Sequence, residues 1–161
     1  MSLFIQVILI LSFALVVLNK SVTFSSIIDD VLKSTQKCKL THASALSRIQ
    51  SSGIGISSSG NCSNRNQRNC TSLEQVRCNT ITGIQTLKRA SGCSITITGG
   101  TEVGHAGGTR SHWNGYKLDT RLNSCLQNYI TKNFREIGRR GSYRQWQSSA
   151  GNIYCLEGNH W

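Results

Sequence analysis

Apolar positions come first in this chain as a block and only later as a rhythm. Residues 3–18 are almost wholly apolar, interrupted by Gln6 and Ser12. A run of about sixteen suits the core of a secretory signal better than a membrane span, which needs about 20. Cleavage is expected near residue 22. Residues 25–50 then show helical spacing, with Ile27, Ile28, Val31 and Leu32 on one stripe and Leu40, Leu46 and Ile49 continuing it. Residues 51–60 are rich in Ser and Gly around Ile54 and Ile56, which reads as a linker or an edge strand. A soft boundary is placed near residue 60. Leu73, Val76, Ile81, Ile84 and Leu87 predict a helix over 73–90, stopped at Ser91-Gly92.

The second half alternates at shorter period. Ile95 and Ile97 between Ser and Thr predict a strand over 94–98, and residues 99–109 form a glycine-rich loop holding Glu102 and His105. Residues 115–119 read as a short strand with Gly115, Lys117 and Asp119 on one face. Leu122, Leu126, Tyr129, Ile130 and Phe134 predict a helix over 122–137. Arg135, Arg139, Arg140 and Arg144 surround Gly138 and Gly141 as a solvated turn. Strands over 143–147 and 152–156, joined by Ser-Ser-Ala-Gly, make a hairpin whose second strand puts Ile153, Cys155 and Glu157 on one face.

Helices and short strands in separate runs predict an α+β fold, with helices on one face of a small, mainly antiparallel sheet and a cleft on the other. Three segments follow: a signal peptide over 1–22, an N-terminal helical segment over 23–60, and a catalytic-type domain over 61–161. About 140 residues without the signal are enough for one domain with a sizeable core. The 18 Lys and Arg against 7 Asp and Glu give a formal charge of +11. Such a surface favours anionic cell-wall polymers or other polyanions, but no nucleic-acid motif is present and no stable membrane association is expected once the signal is removed. Seven cysteines follow the apolar run, none spaced C-x-x-C. In an exported chain they read as up to three disulfides and one odd thiol. Cys62 and Cys70 flank an Asn-rich loop they could close, and Cys125 lies on a helix that could pack behind the strand after Cys93. Asn61 and Asn69 stand in formal glycosylation motifs.

Candidate chemistry gathers in two stretches, Arg110-Ser111-His112-Trp113-Asn114-Gly115-Tyr116-Lys117-Leu118-Asp119 and Glu157-Gly158-Asn159-His160-Trp161. Catalytic zinc takes three ligands from His, Asp or Glu and leaves a fourth position for water, whose pKa falls towards about 7. His112, Asp119 and His160 supply such a set. A carboxylate outside the set must move the proton from water to the leaving amine, and Glu157 is placed for it. In the glycine-rich loop, His105 is a candidate for steadying the tetrahedral intermediate, and Glu102 for orienting a ligand histidine.

The spacing His112-x-x-Gly115-x-x-x-Asp119, followed by Glu157-x-x-His160 with Trp161 beside it, resembles the zinc D-Ala-D-Ala carboxypeptidases and dipeptidases, which also include phage L-alanoyl-D-glutamate endopeptidases. The likeness covers roughly residues 70–161. It implies zinc held by His112, Asp119 and His160, Glu157 as general base, peptidoglycan stem peptides as substrates, and the zinc fold shared with the hedgehog signalling domain and lysostaphin-type endopeptidases. The chain departs from that pattern where Ser111 directly precedes His112, with Arg110 in the usual serine position, and where Lys117 replaces a small residue. It also ends one residue past His160, where the family continues its closing strand. The expectation is thus a secreted zinc peptidase of cell-wall peptides. The alternative is a non-catalytic, zinc-containing binding module, which has no need of a base at position 157. A cysteine-rich basic antimicrobial protein is a third reading, disfavoured by the ordered ligand set.

Overall fold

The computed structural model describes residues 24–30, 34 and 37–161. The expected signal peptide lies outside the described residues, as do Val31 and Leu32. Residues 24–30 are helical and exposed, and belong to a unit separate from Cys38–Trp161. Among the described residues no helix is long and apolar enough to cross a membrane.

Within Cys38–Trp161 the order is β1 (Lys39–Leu40), α1 (His42–Ser51), β2 (Gly55–Ile56), β3 (Val76–Arg77), α2 (Cys78–Ser91), β4 (Thr96–Gly99), β5 (Asp119–Thr120), α3 (Ser124–Asn133), β6 (Arg135–Arg140), β7 (Tyr143–Gln147) and β8 (Ile153–Cys155). Thr41 starts α1 by accepting the Ser44 N–H at 3.3 Å, and Asn123 starts α3 by accepting the Leu126 N–H at 2.8 Å. Gly92, at φ +67°, closes α2 in the left-handed conformation. Each helix buries a short stripe: Ala45 and Ile49 from α1, Ile81 and Leu87 from α2, Leu126 and Ile130 from α3. They meet Ile54, Leu73, Ile95, Ile97 and Trp146 in one core. Residues 38–60 share that core, so no boundary falls at residue 60 within this unit.

The class is α+β, but the strands form three small sheets rather than one. β1 pairs antiparallel with β3; β2, β4 and β5 form a mixed sheet in which β2–β4 is parallel; and β6, β7 and β8 form an antiparallel meander. Short strands around β4 leave its far end open towards the 99–119 loops, where the candidate site lies.

Three expectations change. The helix expected from Leu73 begins only at Cys78, because Gln75 adopts φ +62° and Val76–Arg77 pair with Lys39–Leu40, a junction pinned by the Cys38–Cys78 disulfide. Residues 134–137 are not helical: Phe134 is extended, its ring stacked on Tyr154 at 4.9 Å, and the arginine-rich stretch becomes strand β6. A Glu136–Arg144 pair bridges β6 and β7 there. Finally, residues 112–115 form a turn, 116–118 are irregular, and the strand is only Asp119–Thr120. Gly115 sits at φ +78° with its N–H donating to the His112 carbonyl at 2.7 Å, and a Cβ at 115 would meet the Gln75 carbonyl at 2.5 Å.

Cys38–Cys78, Cys62–Cys70 and Cys93–Cys125 are bridged and Cys155 is free. The Cys62–Cys70 bridge closes the Asn-rich loop, and Cys93–Cys125 ties α3 to the segment entering β4. Three disulfides fit an oxidising, extracellular environment.

Candidate metal centre

Asp119 is the hub. β5 sets it opposite Gly99 of β4, and a Cβ at 99 would lie 2.7 Å from the Asp119 carboxylate, so only glycine leaves room for it. Immediately after Gly99 the chain turns. The Gly100 carbonyl accepts from His112 Nδ1 at 2.7 Å, which leaves His112 Nε2 facing Asp119 Oδ1 at 3.2 Å. Two arginines clamp the turn that carries His112. Arg65 donates to the Thr101 carbonyl at 3.1 Å and to the Trp113 carbonyl, and its guanidinium lies 3.6 Å from the Trp113 ring centre. Arg77 donates to the Asn114 carbonyl at 3.1 Å and covers the Tyr116 ring at 4.0 Å.

His160 reaches the hub by strand pairing. Thr120 and Trp161 exchange N–H···O bonds of 2.8 and 2.9 Å, which draws the last residues alongside β5. His160 Nε2 then stands 3.8 Å from Asp119 Oδ1, while its Nδ1 meets Asn159 Oδ1 at 2.9 Å. Glu157 is bonded to His160 through both backbone groups, at 3.0 and 3.2 Å, and its carboxylate pairs with Arg140. His105 approaches from the other side: Nδ1 lies 3.6 Å from Asp119 Oδ2, Nε2 lies 2.9 Å from Glu102 Oε1, and the ring stacks on His112 at 3.9 Å with 13° between planes. Glu102 is only 3% exposed and accepts the N–H groups of Ser72 at 2.7 Å and Gly100 at 2.9 Å.

All three imidazoles therefore face oxygen on both sides. One nitrogen of each meets a carbonyl or carboxylate oxygen outside the hub, and the other faces Asp119. Such a ring of acceptors favours a cation, a proton or a metal, among them. His105, His112 and Asp119 have ligand atoms within 4.8 Å of one another and could hold a metal ion. His160 is beside this group, with Nε2 turned to the same Asp119 oxygen that His112 faces.

The electrostatics agree. Burial works against ionising Asp119, yet the hydrogen bond with His112 and the nearby His112, His160 and His105 hold its carboxyl below the usual range. Burial likewise opposes the Glu102 charge, and the bonds from His105, Ser72 and Gly100 outweigh it, so its pKa is also lowered. The Glu102 hydrogen bond raises the His105 pKa against the effect of burial, with Asp119 adding to the rise.

The structure thus gathers His105, His112 and Asp119, with His160 beside Asp119 and Glu102 behind His105, and leaves Glu157 at the edge. Sequence reading gave no sign of the Gly100 and Asn159 oxygens that orient His112 and His160, because a backbone carbonyl or a short amide carries no signature. Arg140, taken there as part of a solvated turn, is instead the partner of Glu157. A cavity of about 520 Å³ adjoins the centre, with His112, Asp119 and Glu157 in its wall. A scan against protein-family models and searches of curated proteins and of solved structures each return no match.

Proposed function

We propose that this protein is a secreted, zinc-dependent peptidase that hydrolyses peptide bonds of bacterial cell-wall stem peptides, in the manner of the D-Ala-D-Ala carboxypeptidase family its motifs resemble. The ring of imidazole nitrogens turned on the Asp119 carboxylate carries this reading. Two imidazoles and a carboxylate are a donor set that zinc accepts. For tetrahedral zinc with bonds near 2.0–2.1 Å, neighbouring ligand atoms stand about 3.3 Å apart. His112 Nε2 lies 3.2 Å from Asp119 Oδ1, close to that spacing, and His160 Nε2, 3.8 Å from the same oxygen and outside the tighter group, would close in on the ion.

His105 is the less suitable third ligand. Its ring is nearly parallel to that of His112, and in-plane lone pairs on two stacked parallel rings do not converge on one point. His105 instead stands beside the ligand set, anchored by Glu102, where it can orient a polar group of the substrate. Zinc held here supplies a Lewis acid and an activated water. Glu157, two residues beyond β8 and in the cavity wall, accepts the proton of the attacking water and returns it to the departing amine. For this its carboxylate leaves Arg140, whose guanidinium is half exposed at the cavity and free to take an anionic group of the substrate.

The deciding experiment is mass spectrometry of peptidoglycan fragments incubated with the zinc-loaded protein, with and without chelator, and with Glu157→Gln. Shortened stem peptides that vanish with chelator and with the variant support the reading. Intact fragments at one bound zinc per chain would favour a non-catalytic zinc module, to which the Arg140–Glu157 pair lends weight because it occupies the expected base.

A further inference from the structure

The cavity beside the metal centre is larger and more apolar than alanine-terminated stem peptides need. Its wall includes Gly83 and Ile84 of α2, Leu118 before β5, Ile153 and Tyr154 of β8, and Trp161. About 520 Å³ lies within the size range of a pocket for a whole small ligand, and a methyl group would leave most of it unfilled. Gly83 sits inside α2, where glycine is unfavourable in a helix, and a Cβ there would meet nothing closer than the Asn152 side chain at 3.8 Å. The missing side chain keeps that wall open. Trp161, 7% exposed and packed edge-on against Trp146, adds an aromatic surface to the same wall.

We propose that this cavity is a side-chain subsite that selects peptides carrying a large apolar residue, of leucine or phenylalanine size, next to the bond presented to the metal centre. The proposal rests on the reading of the centre as a peptidase site and narrows its substrate class. Apolar walls from α2, β8 and Leu118 take the side chain, and Arg110, Lys117 and Arg140, interspersed with Asp119 and Glu157 at the same cavity, meet the polar main chain. Selection then comes from contacts that alanine cannot make.

The test uses stem-peptide analogues identical except for Ala, Leu or Phe on either side of the scissile bond, with the zinc-loaded protein. A kcat/KM at least about tenfold higher for Leu or Phe than for Ala on one side is expected. Gly83→Leu and Ile153→Ser, one filling the wall and one roughening it at an exposed position, should each lower that ratio by at least about threefold while zinc binding is retained. Equal or better cleavage of the Ala peptides would overturn the subsite and leave the peptidase reading standing. Binding is read separately by calorimetry on zinc-loaded Glu157→Gln. Tighter binding of the Phe peptide there, with no peptide cut by the unaltered protein, keeps the subsite and removes the peptidase. Absence of any Phe-over-Ala difference in binding overturns the subsite.

Discussion

Glu102 offers the sharpest link between the site and the stability of the fold. Its carboxylate is 3% exposed and accepts the Ser72 N–H at 2.7 Å, the Gly100 N–H at 2.9 Å and the His105 ring at 2.9 Å. Glu102→Ala removes the acceptor from two buried backbone donors. Each buried donor left unsatisfied costs about 1–3 kcal/mol, so a loss of about 4 kcal/mol is expected. That is a large share of the 5–15 kcal/mol typical of a domain. Equilibrium urea unfolding at neutral pH measures it, with Glu102→Gln as the partner variant that keeps the shape and one acceptor oxygen. The Glu102 pKa is lowered in the folded state, so its contribution is fully present above the unfolded value of about 4.3 and is lost as pH falls through the folded value. The acid limb of the stability curve should therefore be shallower in Glu102→Gln than in the unaltered protein. A loss below about 1 kcal/mol in Glu102→Ala would refute the reasoning, because it would mean that water or a shifted backbone satisfies both donors.

Ligand roles separate on metal binding: by calorimetry, His112→Ala and His160→Ala should each weaken zinc at least about tenfold, and His105→Ala should weaken it less, since His105 stacks on His112 rather than converging with it. In the chain-entropy account, removing Cys38–Cys78, which spans 40 residues, should cost about 4 kcal/mol and removing Cys62–Cys70, which spans 8, about 2.5 kcal/mol. Denaturant melts of the paired Cys→Ser variants would show that order or contradict it. Gly83→Ala should raise stability by about 0.5–1 kcal/mol, because the new methyl finds only ordinary contact with Asn152, and a thermal melt reads the change.

Patterning located most of the elements and misplaced their ends. Helix α3 and the β7–β8 hairpin were legible because Leu126 and Ile130 recur at helical spacing and a four-residue Ser-Ser-Ala-Gly turn separates two alternating runs. The early start expected for α2 and the late finish expected for α3 share one physical cause. Leu73 and Val76, like Phe134, are apolar residues in phase with a neighbouring helix, yet each packs against non-local partners. Strand pairing with Lys39–Leu40 and stacking on Tyr154 decide their backbone, and neither partner is near in sequence. At the site, the residue types announced themselves: a His and an Asp spaced around a glycine, and a Glu three before a His. What stayed illegible was the orientation of each ring, set by the Gly100 carbonyl, the Asn159 amide and the deeply buried Glu102.

The centre joins parts of the chain held with very different strength. Asp119 and His112 are fixed by the glycine-sized gap at 99, the Gly100 carbonyl and two arginine clamps, all anchored on the core through β4 and the Ser72–Glu102 contact. His160 is held alongside β5 chiefly by one exchanged pair of backbone bonds between Thr120 and Trp161, supported by the packing of Trp161 against Trp146. A ligand that bridges a rigid half and a lightly held half stabilises the second most, because only the ordered arrangement binds it. Glu157 and Trp161 belong to that same lightly held arm. An ion bound there would therefore do more than sit among its ligands: by holding His160 it would order Glu157 and Trp161 on either side of it in one step.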